Sequence, residues 1–396
     1  MSEQHSAFHH EITATPGELY RSDAYIPSHQ VQNHASFLHI LDNGDVLCVW
    51  FAGTQEGIPD ISIYLSRLNK GATAWTEPVK LSDDPARSEQ NPVLFSAPGG
   101  KLWLLYTAQK SGNQDTAIIR RRISDDNGYT WNDIDTLFDT PGIFIRQPIT
   151  VLDNGDWLLP IWYCYTNPGE KWTGNKDVSA VKISSDQGKT WEEVTVPGSV
   201  GCVHMNIEKL DDGTLLALYR SRWADYIYRS VSADHGKTWS EPVPTSLPNN
   251  NSSIQFTKLA NGDLALVYNH KSASDSMERR ASLYDEIEDE EADEREAAAP
   301  LLTEMPSGEE RQAFWGAPRA PMTLAISKDN GLTWPIKRNI EVGDGYAMTN
   351  NSKERLNREY SYPTIKQSKD GKLHIAFTYF RQAIKYVVLT EPYIAE

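Results

Sequence analysis

The chain has 396 residues, 39% of them hydrophobic, and a formal net charge of −16. That length can bury a large core, and that charge disfavours nucleic acid or an anionic membrane surface as a partner. No apolar run reaches the ~18 residues of a membrane span, and residues 1–20 hold neither a basic nor an apolar signal region, so a cytoplasmic location is expected.

The three cysteines, Cys48, Cys164 and Cys202, are far apart, and each lies in or beside an apolar, strand-like run. They read as buried free thiols; their spacing suits neither a disulfide framework nor a metal site, and no cofactor is expected. Oligomeric state is left open.

In chain order, an apolar strand, an Asn-Gly, Asp-Gly or Gly-Gly turn and a second apolar strand recur six times: His34–Gly53, Asn91–Gln109, Arg146–Tyr165, His204–Arg222, Ser253–Lys271 and Tyr360–Arg381. Such runs are β-hairpins by pattern and turn chemistry. A third strand follows each, as at Asp60–Leu65, Thr116–Ile123 and Ala180–Ile183. A second repeat, S-x-D-x-G-x-T-W, then turns the chain into a fourth strand. It occurs at Ser124–Trp131, Ser184–Trp191, Ser232–Trp239 and Ser327–Trp334, with a degenerate copy over residues 66–75. Its Gly suits a positive-φ turn position, its Asp and Ser or Thr can bond the turn backbone, and its Trp buries a ring beneath.

Starts about 49 to 58 residues apart, except for one longer gap in the fifth repeat, with four strands to a repeat, predict an all-β, six-bladed propeller in one domain. The sixth repeat, ending at Ile384–Leu389, lacks an outer strand, and Leu19–Ile26 is expected to supply it and close the ring. The fifth repeat is interrupted by residues 272–321. This insertion reads as a lid or flap, with a helix or disorder over Ala281–Ala299 and with Phe314 and Trp315 as anchors. Residues 285–296 carry nine acidic side chains in twelve, a solvated stretch.

Blade topology places the Asp-Gly and S-x-D-x-G-x-T-W turns on one face and the remaining links on the other. That second face gathers Asn33, His34, Glu56, Asp60, Asn91, Arg146, His204, Arg220, Arg222, Tyr226, Tyr360, Tyr362 and Arg381. Such a polar, aromatic set is costly to bury without a function. Arg220 and Arg222, and likewise Tyr360 and Tyr362, share a side by strand alternation.

The S-x-D-x-G-x-T-W repeat matches the Asp-box of the sialidase superfamily, and NHASFLHILDNGDVLCVWFAGTQEGIPDISIYLSR, LYRSR at 218–222 and residues 359–388 resemble sialidase-like proteins. The resemblance implies an exo-glycosidase acting on an acidic terminal sugar. Asp60 would be the acid/base and Tyr360 the nucleophile, with Arg146 and Arg222 on the sugar carboxylate. In place of that family's Arg-Ile-Pro stands Asn33-His34-Ala35. Similar propellers include uronate lyases. In that reading Arg146 or Arg222 with Asn33 neutralises the carboxylate, His34 or His204 is the base, and Tyr360 or Tyr226 is the acid. A non-catalytic glycan-binding propeller is the third reading.

Overall fold

The structure, a computed structural model, describes residues 8–167, 169–280, 283–284, 286–287 and 311–390. It contains six antiparallel sheets arranged as propeller blades. The first blade runs Gln32–Ile40, Val46–Gly53, Ser62–Leu68 and Val79–Lys80, from the axis outward. The second is Ser88–Ser96, Leu102–Lys110, Asn113–Ser124 and Asp135–Phe138. In the third the inner strand is split into Ile143–Phe144 and Thr150–Val151, followed by Trp157–Tyr163, Val178–Ser184 and Glu192–Thr195. The fourth is Cys202–Lys209, Leu215–Ser221, Tyr226–Ser232 and Val243–Pro248. The fifth is Gln255–Lys258, Leu264–Asn269, Met322–Ser327 and Ile336–Glu341.

The sixth blade is Tyr360–Gln367, Leu373–Tyr379 and Ala383–Leu389, completed by Arg21–Ile26 from the N-terminal side. Register there runs from Arg21 opposite Leu389 to Ile26 opposite Ile384, so the two ends of the chain close the ring. Packing between blades buries both faces of the second strands, and Val46–Gly53 is buried at every position. That explains their near-continuous apolar runs, where a half-exposed strand would alternate.

The S-x-D-x-G-x-T-W turns hold the blades together. In the third blade Ser184 Oγ accepts the Gly188 N–H, and Asp186 accepts from the Thr190 N–H and hydroxyl. A Cβ on Gly188 would lie 2.6 Å from the Trp103 ring of the preceding blade, and one on Gly236 2.6 Å from Leu158. Glycine is therefore required both for its positive φ and for contact with the neighbouring blade. The indoles are less uniform than expected: Trp239 and Trp334 are buried, whereas Trp131 and Trp191 are half-buried. The three cysteines are buried free thiols.

Most of Ala281–Ala299, including its expected helix, lies outside the described residues. Among the described residues no helix is long and apolar enough to cross a membrane. The flanking parts of the insertion pack into the mouth of the propeller. Leu283, Tyr284, Ala313 and Trp315 join a buried cluster with Phe144, Trp162 and Trp172.

Candidate active site

The site is built from one backbone irregularity used four times. On the inner strands of blades one, two, four and six the register slips between His34 and Phe37, Gln90 and Val93, Val203 and Asn206, and Ser361 and Thr364. The first bulged residue takes a left-handed conformation each time: Ala35, Asn91, His204 and Tyr362, with φ of 56, 51, 55 and 52°. None is glycine, so each carries a backbone cost of roughly 1–3 kcal/mol. Bulges re-aim side chains, and these turn His204 and Tyr362 toward one another with ring centroids 5.7 Å apart.

The bulge also separates the two tyrosines that alternation had paired. The Tyr362 hydroxyl accepts from Arg220 Nη1 at 2.6 Å. Tyr360 instead packs on Phe380, and its hydroxyl donates to the Val342 carbonyl at 3.1 Å. Tyr360 thus lies in the apolar seam between the last two blades, apart from the arginines.

Three guanidinium groups surround the Tyr362 ring: Arg146, Arg220 and Arg319, with Cζ atoms 5.4, 5.6 and 5.7 Å from its centroid. Arg146 donates to the carbonyls of Ala35, Ser36 and Tyr362, which ties three strand ends together. Arg220 donates to Asn251 Oδ1 and His204 Nε2 as well as to Tyr362. Among the described residues neither Arg146 nor Arg220 pairs with a carboxylate. Burial pulls Arg146 down to about 10 and Arg220 to about 9, which leaves both charged at neutral pH.

The other arginines are neutralised. Arg222 packs against both Trp172 and Trp315 and is bonded to the buried carboxylate of Asp177. Trp172 Nε1 donates to the second oxygen of Asp177. Arg381 bridges Glu56 and Glu359, and Arg319 bonds the other oxygen of Glu359 at 2.8 Å. Burial works against the Glu359 charge, but Arg381 and Arg319 outweigh it and hold its carboxyl well below the usual range.

Both histidines are held neutral. Burial is the main cause, helped for His34 by Arg381 and for His204 by Arg220. His204 stacks on Trp162 and lies 3.0 Å from Ser253 Oγ through Nδ1. Because Arg220 donates to its Nε2, the His204 proton sits on Nδ1. His34 lies 2.8 Å from Thr378 Oγ1 through Nδ1, its ring is 4.3 Å from that of Tyr362, and its buried Nε2 has no partner among the described residues.

The remaining sequence candidates lie outside the arginine cluster. Asn33 is fully occupied by Ser28, Trp50 and the carbonyls of Gln30 and Gln382. Asp60 is exposed and accepts from the Thr54 N–H and hydroxyl. Tyr226 is exposed where its strand begins. Sequence reasoning missed Arg319, Asp177 and Glu359. Arg319 stands in the long insertion, where strand periodicity gives no direction. Asp177 and Glu359 lie just before strands, where a carboxylate reads as an ordinary turn residue.

Six four-stranded blades with this arginine-rich mouth define a propeller of the sialidase-like superfamily. The chain belongs to the BNR repeat-like domain family, whose profile matches residues 44–375. No curated protein sequence matches it. Its structure is similar to the Hadza microbial sialidase Hz136, with a TM-score of 0.66 and 13% identity over 92% of this chain and 67% of that one. It is also similar to the leech intramolecular trans-sialidase complexed with 2,7-anhydro-Neu5Ac, with a TM-score of 0.62 and 13% identity over 96% and 70% of the two chains. A Dyadobacter fermentans protein of unknown function has a TM-score of 0.65 and 15% identity, over 95% of this chain and all of that one. At such identities the likeness speaks for the fold.

Proposed function

We propose that the protein is an exo-acting, sialidase-like glycosidase that takes an acidic terminal sugar with Tyr362 at the reacting centre. The observation that carries this reading is the arginine cluster around Tyr362, in which Arg146 and Arg220 lack a carboxylate among the described residues. A buried, uncompensated cation is expensive, and a carboxylate-bearing ligand would supply the missing charge. Arg220 would clamp that carboxylate, while Arg146, held on three carbonyls, supplies field. In hydrolysis the Tyr362 phenol gives its proton to the neutral His34 as its oxygen attacks the anomeric carbon, the leaving oxygen takes a proton from an acid at the rim such as Asp60, and water then releases the sugar and restores both protons.

One observation favours a second reading, β-elimination from a uronate. The Tyr362 oxygen faces a guanidinium, and the neutral His34, whose Nε2 has no partner among the described residues, lies against the same ring. There His34 would take the proton α to the carboxylate and Tyr362 would protonate the leaving oxygen, leaving a carbon–carbon double bond and adding no water. Incubation with sialosides and with oligosaccharides whose uronate carries the next sugar on O4, read by mass and by ultraviolet absorbance, separates the two. Hydrolysis releases a sugar carrying one added water, whereas elimination leaves an unsaturated uronate lighter by that water. Saccharide binding without turnover on either set would leave a glycan-binding propeller and overturn both enzymatic readings.

A further inference from the structure

The insertion places Tyr284 inside the mouth, in a slot between the first and second blades. Its hydroxyl accepts from Gln109 Nε2 at 3.2 Å and Gln114 Nε2 at 3.0 Å. Gln90 reaches the same hydroxyl. All three carboxamides are buried, at the same end of three adjacent strands of the second blade. The slot is framed by glycine: a Cβ on Gly57 would lie 2.8 Å from the Tyr284 ring.

The polar capacity of the slot exceeds what one phenol can use. Among the described residues Gln109 Oε1 is buried without a partner, and Gln114 Oε1 meets the weak Cys164 thiol donor at 3.5 Å. Buried amide oxygens left this way cost free energy. Vicinal sugar hydroxyls, which both donate and accept, match paired carboxamides on both counts. The slot adjoins the arginine cluster. Trp172 lies 6.4 Å from Tyr284 and 5.7 Å from Trp315, whose ring is 5.9 Å from the Arg220 guanidinium carbon.

We propose that this slot is the subsite for the neutral sugar next to the acidic one, and that Tyr284 is a built-in occupant which that sugar displaces. The position of the neutral sugar rests on the function proposed above; the slot's affinity for uncharged sugar hydroxyls does not. No second carboxylate is recognised there, because amides rather than cations line the slot. A substrate with a neutral second sugar must therefore compete with Tyr284, while an acidic sugar on a methyl aglycone does not.

The test uses the full chain and four neutral probes: glucose, galactose, N-acetylgalactosamine and lactose. By calorimetry Tyr284→Ala should bind at least one of them about tenfold more tightly than the parent, as expected for one or two released hydrogen bonds. Adding Gln114→Ala to that variant should abolish the gain. Tyr284→Phe, which keeps the ring, should show about a threefold gain and guards against a folding defect in the alanine variant. If neither variant binds any of the four more tightly than the parent, the slot only anchors the insertion and the proposal falls. Failure of the arginine-site reading appears elsewhere, as absent turnover or binding of the methyl glycoside of an acidic sugar.

Discussion

Arg220, on the second strand of the fourth blade, donates to the phenol oxygen of Tyr362, on the inner strand of the sixth, at 2.6 Å. The contact spans the mouth of the propeller and joins residues 142 positions apart. It exists because a bulge turns Tyr362 inward while leaving Tyr360 in the seam behind it. The two tyrosines therefore have separable consequences.

Tyr362→Phe should lower kcat by ~10²-fold or more, the scale of a lost acid–base or nucleophilic group, and should cost about 1.5–3 kcal/mol of stability through its lost bond to Arg220. Tyr360→Phe removes one hydrogen bond to Val342. It should cost about 1 kcal/mol of stability and leave turnover near the parent value. Steady-state rates and thermal denaturation of both variants check this, and equal loss of activity in the two would place Tyr360 back in the site.

Arg220 and Arg222 both lie near the Trp315 ring yet should respond oppositely. Arg222→Met strands the buried carboxylate of Asp177 and should destabilise the fold by about 3–5 kcal/mol. Arg220→Met removes a buried charge that has no carboxylate partner among the described residues, so its stability should stay within about 1.5 kcal/mol of the parent. It should nonetheless lose roughly thirtyfold in affinity for an acidic sugar, the worth of a charged hydrogen bond of about 2 kcal/mol. Urea denaturation and a binding isotherm on each variant decide between these outcomes.

The buried histidines should make acid destabilising below pH ~6.5, offset in part by Glu208, whose carboxyl burial raises to about 7 so that its folded form takes up a proton first. Burial holds His34 and His204 well below the usual imidazole range and His374 at about 4. Each is neutral when folded and gains its proton on unfolding, at about 6.5. The unfolded state therefore binds more protons below that pH. Stability is full above pH ~6.5 and falls by about 1 kcal/mol per histidine per pH unit beneath it. The depressed carboxyl of Glu359 adds its own loss only below ~4.5, its unfolded value. Denaturant midpoints at pH 7.5, 6 and 5 read the histidine window, and because burial also lowers His39 and His270, His374→Gln should flatten the slope without abolishing it.

The turn glycines should divide by what faces them. Gly188 has φ +81° and the Trp103 ring in the path of a Cβ, whereas Gly213, at φ +85°, has nothing within 4 Å. Alanine at 213 should cost only the backbone term of about 1 kcal/mol. Alanine at 188 should cost about 2–4 kcal/mol, because an overpacked blade contact is added. Equal shifts in unfolding midpoint would mean that the turn does not brace the adjacent blade.

The blade count, the turns and the closing strand Arg21–Ile26 were all legible in the chain, because each depends on local pattern. A strand is written by apolar runs, a turn by its glycine, and a repeat by its own recurrence. Much of the site was legible too, since topology alone brings the starts of six inner strands to one mouth. That reasoning reached His34, His204, Arg146, Arg220 and Tyr362. Local pattern could not rank Tyr360 below Tyr362, because the bulge that separates them arises in pairing with Leu373–Tyr379 rather than in the sequence around it. Nor could it separate Arg220 from Arg222, since the distinction lies in Asp177, which arrives from another blade. Arg319 and Tyr284 enter the mouth from an insertion without strand periodicity. Their positions follow from the carboxylate of Glu359 and the amides of Gln109 and Gln114, contacts that exist only once the ring has closed. The sequence by itself determined which elements form and which face collects the polar side chains. Tertiary structure decided which charges are cancelled and which remain for a ligand, because charge compensation in a buried site depends on distances between residues far apart in the chain.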